Sequence, residues 1–363
     1  GTTDTADDFD ALILAQPGDV LAFPHRPAPG DTAIYCHTGG TTGTPKLAPL
    51  LHRGIAYKCH AYGWVLGHGP DDVVFAGTPL FHSGGIVNRT MSPFFQGMTN
   101  VILSPHGFRD KRTVPNYWKL VERYRETELI AVPTVLSALA NTPPGDADIS
   151  SLKPYANTGS AGMPAGLART LEEKLGIAIL SNYGLTENTA SAAVPPRSEV
   201  RHGSSGMRIP YTQIKTLRVD GAGHVLGDCD AGEIGAIAVK GPGVIEGYVD
   251  PALDHGLFFD GDWLNTGDLG RIDAEGYLWV TGRIKDLIIR GGNNIDPQQI
   301  DEALLEHDAV ELAAAVGKPD GYAGEMPVAY VQLKEGAAAD AEEIREFAHA
   351  RIPERAAVPA EIF

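Results

Sequence analysis

Short apolar runs alternate along the chain with stretches whose apolar residues recur at helical spacing. The runs cover residues 73–76, 101–103, 129–132 and 177–180, and β-branched side chains are frequent in them. Between them, residues 115–125 place Trp118, Val121 and Tyr124 on one face, and residues 164–175 end before Gly176. Strands alternating with helices predict an α/β fold with a largely parallel sheet and helices packed against it.

Two further patterns follow. From Gly203 onward, Gly/Asp turns separate short runs such as 213–219 and 233–239, which predicts a small antiparallel β subdomain. From Lys285 onward the order is helix, strand, strand, helix, with strands at 309–316 and 328–333. We therefore expect a large domain over 1–284 and a small α+β domain over 285–363.

The small domain carries two helix-start signals. Asp296 precedes Pro297, and Gln299 stands at the third helical position, which predicts a capping box. Asp340 with Glu343 repeats the signal before a helix that ends ahead of proline.

Composition and charge exclude some classes of function. The 363 residues are 43% hydrophobic and 21% charged, as in an ordinary globular protein with two or three domains. The net charge of −17, from 46 acidic and 29 basic residues, argues against a nucleic-acid partner. Three cysteines without metal-binding or CxxC spacing suit a reducing cytoplasm, and we find no membrane-length apolar run or signal peptide.

Residues 38–46 form the most informative segment. They read Thr-Gly-Gly-Thr-Thr-Gly-Thr-Pro-Lys and follow a strand-like run at 33–36. Glycines let backbone N–H groups converge, threonines add hydroxyl donors and Lys46 adds a charge, so the segment suits phosphate oxygens. Pro45 before the lysine excludes the Walker P-loop. A solvated Gly/Thr loop is the alternative.

Three more segments belong with this loop, because all four resemble segments of one protein family. They are Asn-Tyr-Gly-Leu-Thr-Glu at 182–187, Asn-Thr-Gly-Asp at 265–268, and Gly-Arg-Ile-Lys-Asp at 282–286 leading to Gly-Gly-Asn-Asn-Ile-Asp-Pro at 291–297. In this order the four resemble the adenylate-forming, or AMP-binding, superfamily, and most of all its acyl-CoA synthetases and fatty-acid–CoA ligases.

The resemblance implies an ATP-dependent carboxylic acid–CoA ligase. Such an enzyme makes an acyl-AMP and pyrophosphate, then acyl-CoA and AMP, with ATP, Mg²⁺ and CoA. An acyl-AMP ligase that loads a carrier protein and a non-catalytic nucleotide-binding module are the alternatives. The family's N-terminal subdomain and its C-terminal adenylation lysine are expected to lie outside these 363 residues.

The resemblance also assigns the nucleotide site. Phosphates are expected at Thr38, Gly39, Gly40, Thr41, Thr42, Gly43 and Lys46. Tyr183 would offer its flat ring face to adenine, with Gly184 next to it in the nucleotide site. Asn182 would bind the adenine amino group, and the second adenine wall would be Gly159, Ser160 and Ala161. Thr186 would bind the α-phosphate, and Glu187, a hard oxygen ligand, would bind Mg²⁺.

Asp268 and Arg283 are expected to hold the ribose. Residues 270–272 and 277–280 alternate apolar and polar side chains around the turn 273–276, which predicts a hairpin. A hairpin brings Asp268 and Arg283 together at its open end. A surface ion pair is the alternative.

Lys285 occupies the family's hinge position, from which the small domain rotates between two half-reactions. Gly291 and Gly292 would then approach the pantetheine arm of CoA. An ordinary exposed lysine is the alternative.

His82 lies where the resemblance places the carboxylate substrate. No acidic residue occurs from Phe81 to Asn100, so we expect a fatty or other organic acid and not an amino acid. Val87, Asn88 and Ser160 are weaker candidates for the acyl pocket. The oligomeric state stays open.

Overall fold

A computed structural model describes residues 9–20, 26–38, 46–159, 165–220, 223–291 and 293–363. A short helix α1 (Phe9–Leu14) precedes an antiparallel hairpin of β1 (Thr32–Thr38) and β2 (Lys46–Leu51), which leads into the long helix α2 (His52–Leu66). The strand predicted at 33–36 is confirmed within β1. It alternates buried Cys36 with exposed Tyr35, because only one face of the hairpin packs inward.

Five parallel strands form the centre of the large domain. They are β3 (Val73–Ala76), β4 (Thr99–Ile102), β5 (Leu129–Ile130), β6 (Tyr155–Thr158) and β7 (Ala178–Ser181). β3 pairs with β4 and β5–β6–β7 pair with one another, while a parallel bridge from Val74 to Glu128 connects the two groups. The predicted α/β fold is confirmed here.

The intervening helices pack on these strands. They are α3 (Ser92–Phe95), α4 (Thr113–Tyr124), α5 (Pro133–Ala140) and α6 (Ala165–Leu175). Trp118 and Val121 of α4 are buried as predicted, but Tyr117 completes the buried face and Tyr124 is 40% exposed. Helix α6 ends at Gly176, whose φ of +70° is the left-handed conformation expected after a helix.

Antiparallel strands are more numerous than the sequence pattern predicted. A three-stranded sheet contains β8 (Tyr183–Leu185), β9 (Ala190–Val194) and β10 (Met207–Arg208). A six-stranded sheet follows, made of β11 (Gln213–Val219), β12 (Val225–Asp228), β13 (Gly235–Lys240), β14 (Phe258–Phe259), β15 (Trp263–Ile272) and β16 (Leu278–Arg283). The latter is the antiparallel subdomain expected after Gly203.

The last part of the chain has its own hydrophobic core, which includes Ile288, Ile300, Leu304 and Ile344. Its sheet contains β17 (Ile288–Arg290), β18 (Asn293–Ile295), β19 (Val310–Asp320), β20 (Gly324–Leu333) and β21 (Glu361–Ile362), and its helices are α7 (Pro297–Leu305) and α8 (Ala341–Arg351). The division at Lys285 remains a proposal about how the two parts act.

The helix caps agree with the sequence with one correction. Asp296 accepts the Gln298 N–H at 2.9 Å, and Asp340 accepts the N–H groups of Glu342 and Glu343. Gln299 does not reach back to complete a capping box, because its amide donates to Glu354 at 3.5 Å instead. Within the described ranges, no helix is both long and apolar enough to cross a membrane.

Candidate active site

One cavity of about 530 Å³ collects residues from most of the predicted motifs. Its wall receives Thr38 from the end of β1, Gly159 from the end of β6, and Arg283 from the end of β16. Its other predicted members are Asn182, Gly184, Thr186, Glu187 and His82. Gly159 and Asn182 directly follow the parallel strands β6 and β7, and the carboxyl ends of such strands are the usual location of ligand sites in α/β folds.

Several predicted site residues do not line this cavity. Tyr183 and Asp268 are buried behind it, and Lys46 lies beside it as the first residue of β2. Lys285 occupies a 3₁₀ turn, and Gly291 lies beyond it with φ +57° in a separate groove with Arg290 and Arg355. Gly39, Gly40, Thr41, Thr42, Gly43, Ser160, Ala161 and Gly292 lie outside the described residues.

Glu187 is held by a residue that the sequence did not suggest. The Tyr248 hydroxyl donates to Oε1 of Glu187 at 2.7 Å. The ammonium of Lys46 lies 4.6 Å from the centre of the same ring and donates to the Leu253 carbonyl. Burial, and then the Glu187 charge, raise the pKa of Tyr248, so its hydroxyl stays protonated and can donate.

The turn that carries Glu187 is followed by two residues with strained backbone angles, and buried hydrogen bonds hold this segment in place. Thr189 and Ala190, directly after the 3₁₀ turn Thr186–Asn188, have φ values of +52° and +75°. Non-glycine residues adopt such angles only where their surroundings impose them. The fully buried Lys58 donates to the Ser191 carbonyl at 2.6 Å, and Thr189 donates to the Gly243 carbonyl at 2.6 Å. Burial lowers the pKa of the Lys58 ammonium well below its ordinary value.

Asp268 and Arg283 meet as the hairpin geometry requires. They are direct partners in the β15–β16 register, with Nε of Arg283 3.1 Å from Oδ1 of Asp268. The Tyr183 hydroxyl donates to Oδ2 at 2.7 Å. Burial raises the pKa of the Asp268 carboxyl against the lowering effects of Tyr183 and Arg283. Asp268 is 6% exposed, whereas the Arg283 side chain is 50% exposed, so the pair joins a buried carboxylate to a half-exposed guanidinium.

His82 begins the wall on the side assigned to the acid. Its Nδ1 accepts the Gly84 N–H at 3.1 Å, so the neutral ring carries its proton on Nε2. Burial, followed by the charges of His37 and Arg89, lowers the pKa of His82. Ser83 places its hydroxyl 3.1 Å from that of Thr186, which connects this wall to the phosphate side.

A π-helix, Gly84–Met91, continues this wall. Such helices are rare and occur often at functional sites. It directs Asn88 and Arg89 to the cavity, whereas Val87 is fully buried in the hydrophobic core and does not line it. Asn88 donates to the Ser191 hydroxyl at 2.8 Å.

Asn182 belongs to the same wall as Arg89. Its Nδ2 donates to the Tyr62 hydroxyl at 3.2 Å, and Arg89 donates to that oxygen at 2.8 Å. The Asn182 side-chain oxygen is buried without a described partner. The adenine contact expected of Asn182 stays a prediction, and its amide nitrogen already bonds to Tyr62 beside Arg89.

Sequence reasoning missed Tyr248, Arg89 and Arg109. Arg89 left a signal, since it is the only Asp, Glu, Lys or Arg from Phe81 to Phe108. Tyr248 left none, because its partner Glu187 lies far away in the sequence.

Comparison with known proteins finds family models and relatives that match most of the chain. Residues 3–249 match the model of the AMP-binding enzyme family, and residues 299–363 match that of the AMP-binding enzyme C-terminal domain. The chain is 40% identical to the marinolic acid–CoA ligase of Pseudoalteromonas sp. over 98% of its residues and 55% of the relative. It is 36% identical to the sulfoacetate–CoA ligase of Cupriavidus necator over 93% of its residues and 64% of the relative.

A solved structure shows the same fold. ATP-bound MatB from Rhodopseudomonas palustris superposes with a TM-score of 0.84 at 29% identity, over 93% of this chain and 64% of that one. The chain therefore spans less than two thirds of the length of each of these three proteins.

Proposed function

The chain belongs to the AMP-binding enzyme family, and we propose that it acts in an ATP-dependent carboxylic acid–CoA ligase. The acid's carboxylate attacks the α-phosphate of ATP, which gives an acyl-AMP and pyrophosphate. The CoA thiolate then attacks the acyl carbon and AMP leaves. The observation that carries this proposal is the meeting of Thr38, Thr186, Glu187 and Arg283 with His82 around one cavity.

The chain's own residues would position the reactants. Thr38 and Lys46 would hold the terminal phosphates, with Gly39–Gly43 between them, and Thr186 would hold the α-phosphate. Gly159 and Gly184 would border adenine, and Asp268 with Arg283 would hold the ribose. The Tyr183 ring, expected to face adenine, is buried with its hydroxyl on Asp268 and would instead support the carboxylate that holds the ribose. Such positioning accounts for much of the catalysis in a transfer reaction of this kind.

Glu187 fits the role of a magnesium ligand. Within the described residues, no group of three His, Cys, Asp or Glu side chains could hold a metal on its own. Mg²⁺ commonly binds through one or two carboxylates together with substrate phosphates. Tyr248 takes only Oε1 of Glu187, which leaves Oε2 for the ion. When bound, the ion would neutralise charge on the phosphates.

His82 would act on the acid as a neutral hydrogen-bond donor. With Nδ1 occupied by the Gly84 N–H, its Nε2–H can donate to an oxygen of the carboxylate. The lowered pKa of His82 keeps the ring neutral at pH 7.

CoA would reach the acyl-AMP after the small domain moves. Gly291 does not line the cavity in this structure, so its expected contact with pantetheine requires a different domain position. Lys285, between the two parts, is the proposed hinge.

The similar proteins do not identify the acid. Two relatives are named for different acids, marinolic acid and sulfoacetate. The identity of the acid must therefore be inferred from the residues that line this chain's own pocket.

The test is a panel of organic acids in an ATP–pyrophosphate exchange assay, followed by CoA addition. We expect acid-dependent exchange, acyl-CoA formation on adding CoA, and loss of both in Glu187→Gln. Exchange without any CoA product would favour a carrier-protein ligase. ATP binding without exchange for any acid would favour a nucleotide-binding module and contradict the proposal.

A further inference from the structure

Arg89 is a buried cation on the acid side of the cavity. Its side chain is 8% exposed, and it lines the cavity from the π-helix Gly84–Met91. Arginine is rarely buried unless it is paired, because removing its charge from water is costly. A buried arginine at a cavity wall therefore needs an explanation.

The described protein partners do not saturate this side chain. Nη1 donates to the Tyr62 hydroxyl at 2.8 Å, and the guanidinium carbon lies 6.0 Å from the centre of that ring. A guanidinium carries five N–H donors, so this bond uses only one of them. Within the described part of the chain, Arg89 forms no ion pair with a carboxylate.

Glu128 interacts with the charge of Arg89 electrostatically, without a described hydrogen bond or ion pair between them. Burial works to raise the pKa of the Glu128 carboxyl, but His68, Asn157 and Arg89 outweigh it and hold the pKa below its ordinary value. The oxygens of Glu128 are already engaged by His68 and Asn157. The donors of Arg89 thus remain available on the cavity side.

The cavity wall as a whole has an excess of positive charge. Its arginines are Arg89, Arg109 and Arg283, and Glu187 is the carboxylate among its lining residues. Arg283 is paired with Asp268. Arg109 lies with its guanidinium carbon 5.7 Å from the centre of the Phe81 ring and has no described carboxylate partner.

The reacting carboxylate does not explain Arg89. That carboxylate must reach the α-phosphate, which is expected beside Thr186. The Ser83 hydroxyl lies against the Thr186 hydroxyl, so the reacting end of the acid belongs near Ser83. Arg89 lies more than one helical turn beyond Ser83 along the same wall. A group held by Arg89 therefore belongs to the other end of the acid.

We propose that Arg89, assisted by Arg109, selects acids that carry a second anionic group at their far end, such as a dicarboxylate. The proposal rests on the proposed ligase function and names its substrate class. The planar guanidinium can bind a carboxylate through two parallel hydrogen bonds. An uncharged acyl chain would leave those donors buried and unpaired, which disfavours it.

The experiment compares succinate, glutarate and adipate with butanoate, pentanoate and hexanoate, using the full-length protein. We expect kcat/KM in pyrophosphate exchange to favour at least one dicarboxylate over its matched monoacid by 10-fold or more. Arg89→Met should remove that preference by lowering the dicarboxylate value and sparing or raising the monoacid value. Arg109→Ala should reduce it partly, and Arg123→Ala, which changes an exposed arginine outside the cavity, should not change it.

A second readout needs no turnover. The best dicarboxylate alone should raise the melting temperature of the wild type and not that of Arg89→Met. If Arg89→Met does not fold, Arg89→Lys replaces it in the test. This variant keeps the charge but not the two-bond geometry, so it should fold and lose only the preference for dicarboxylates.

The outcomes separate the two proposals. Equal or better use of every monoacid, with no dicarboxylate stabilisation, would overturn the selection proposal while the ligase function stands. Absence of exchange with all acids would contradict the ligase function. Stabilisation by a dicarboxylate that depends on Arg89 would still support the anion site.

Discussion

The hydroxyl of Tyr248 donates a hydrogen bond to Oε1 of Glu187 at 2.7 Å, while its ring lies under the ammonium of Lys46. Tyr248 therefore connects the residue proposed for magnesium with the residue proposed for the terminal phosphates. The hydrogen bond engages one of the two carboxylate oxygens of Glu187.

Tyr248→Phe tests this connection. The variant keeps the ring beneath Lys46 and loses the hydrogen bond, which for a charged acceptor contributes about 1.5–3 kcal/mol. We expect roughly a 10-fold or larger fall in pyrophosphate-exchange kcat/KM, together with a higher magnesium requirement, measured by titrating Mg²⁺. Tyr211→Phe, at a 78% exposed position, is the control. Wild-type magnesium dependence in Tyr248→Phe would show that the bond is only structural.

Lys46→Ala tests the phosphate assignment. Lys46 is only partly buried and donates to one backbone carbonyl at 3.4 Å, so its loss should affect folding little. We expect KM for ATP to rise and exchange to fall by roughly two orders of magnitude, since the charge on the leaving pyrophosphate is no longer offset. Lys215→Ala, on β11, is the matched control. An unchanged exchange rate would remove Lys46 from the site.

Lys285→Pro tests the proposed hinge. Lys285 lies in the 3₁₀ turn Ile284–Asp286, and proline fixes φ near −65°, which suits such a turn. The substitution should favour the present domain position and impair one half-reaction far more than the other. Pyrophosphate exchange and acyl transfer from preformed acyl-AMP measure the two steps separately. Equal loss in both, or none in either, would show that Lys285 is not the hinge.

Asp301→Asn tests the electrostatics of the small domain. Burial, with Asp296 and Glu302 adding to it, raises the pKa of Asp301 to about 7, while Oδ1 accepts the Ala315 N–H at 2.6 Å. A carboxyl whose folded pKa exceeds its unfolded value near 3.9 contributes its full stability below about pH 4. That contribution is lost as pH rises towards 7.

The asparagine side chain keeps an oxygen that can accept the Ala315 N–H, and it does not ionise as the pH rises. Relative to wild type, Asp301→Asn should therefore gain stability between pH 5 and pH 8, by roughly 1–2 kcal/mol after allowance for partial exposure. Urea unfolding at several pH values measures this difference, with Asp308→Asn as an exposed control. Parallel pH profiles for wild type and Asp301→Asn would contradict the prediction.

The sequence by itself determined the local features of this protein. Apolar runs located β3, β4, β5 and β7 of the central sheet but not β6, and helical spacing located α4 and α6 but not α3 or α5. Glycine at 176 and aspartates at 296 and 340 marked helix ends. The meeting of Asp268 and Arg283 was also predictable, because a hairpin relates its two strands through a short turn. In each case the decisive interactions lie within a few residues or one hairpin.

Only the tertiary structure decided how distant segments combine. Tyr248 reaches Glu187, Lys58 reaches Ser191, and Arg89 shares Tyr62 with Asn182 across gaps that no periodicity spans. A repeat pattern states which face of an element is apolar, but not which element covers it. The charge of Arg89 was visible in the sequence, whereas its burial at the cavity wall follows from packing between distant segments.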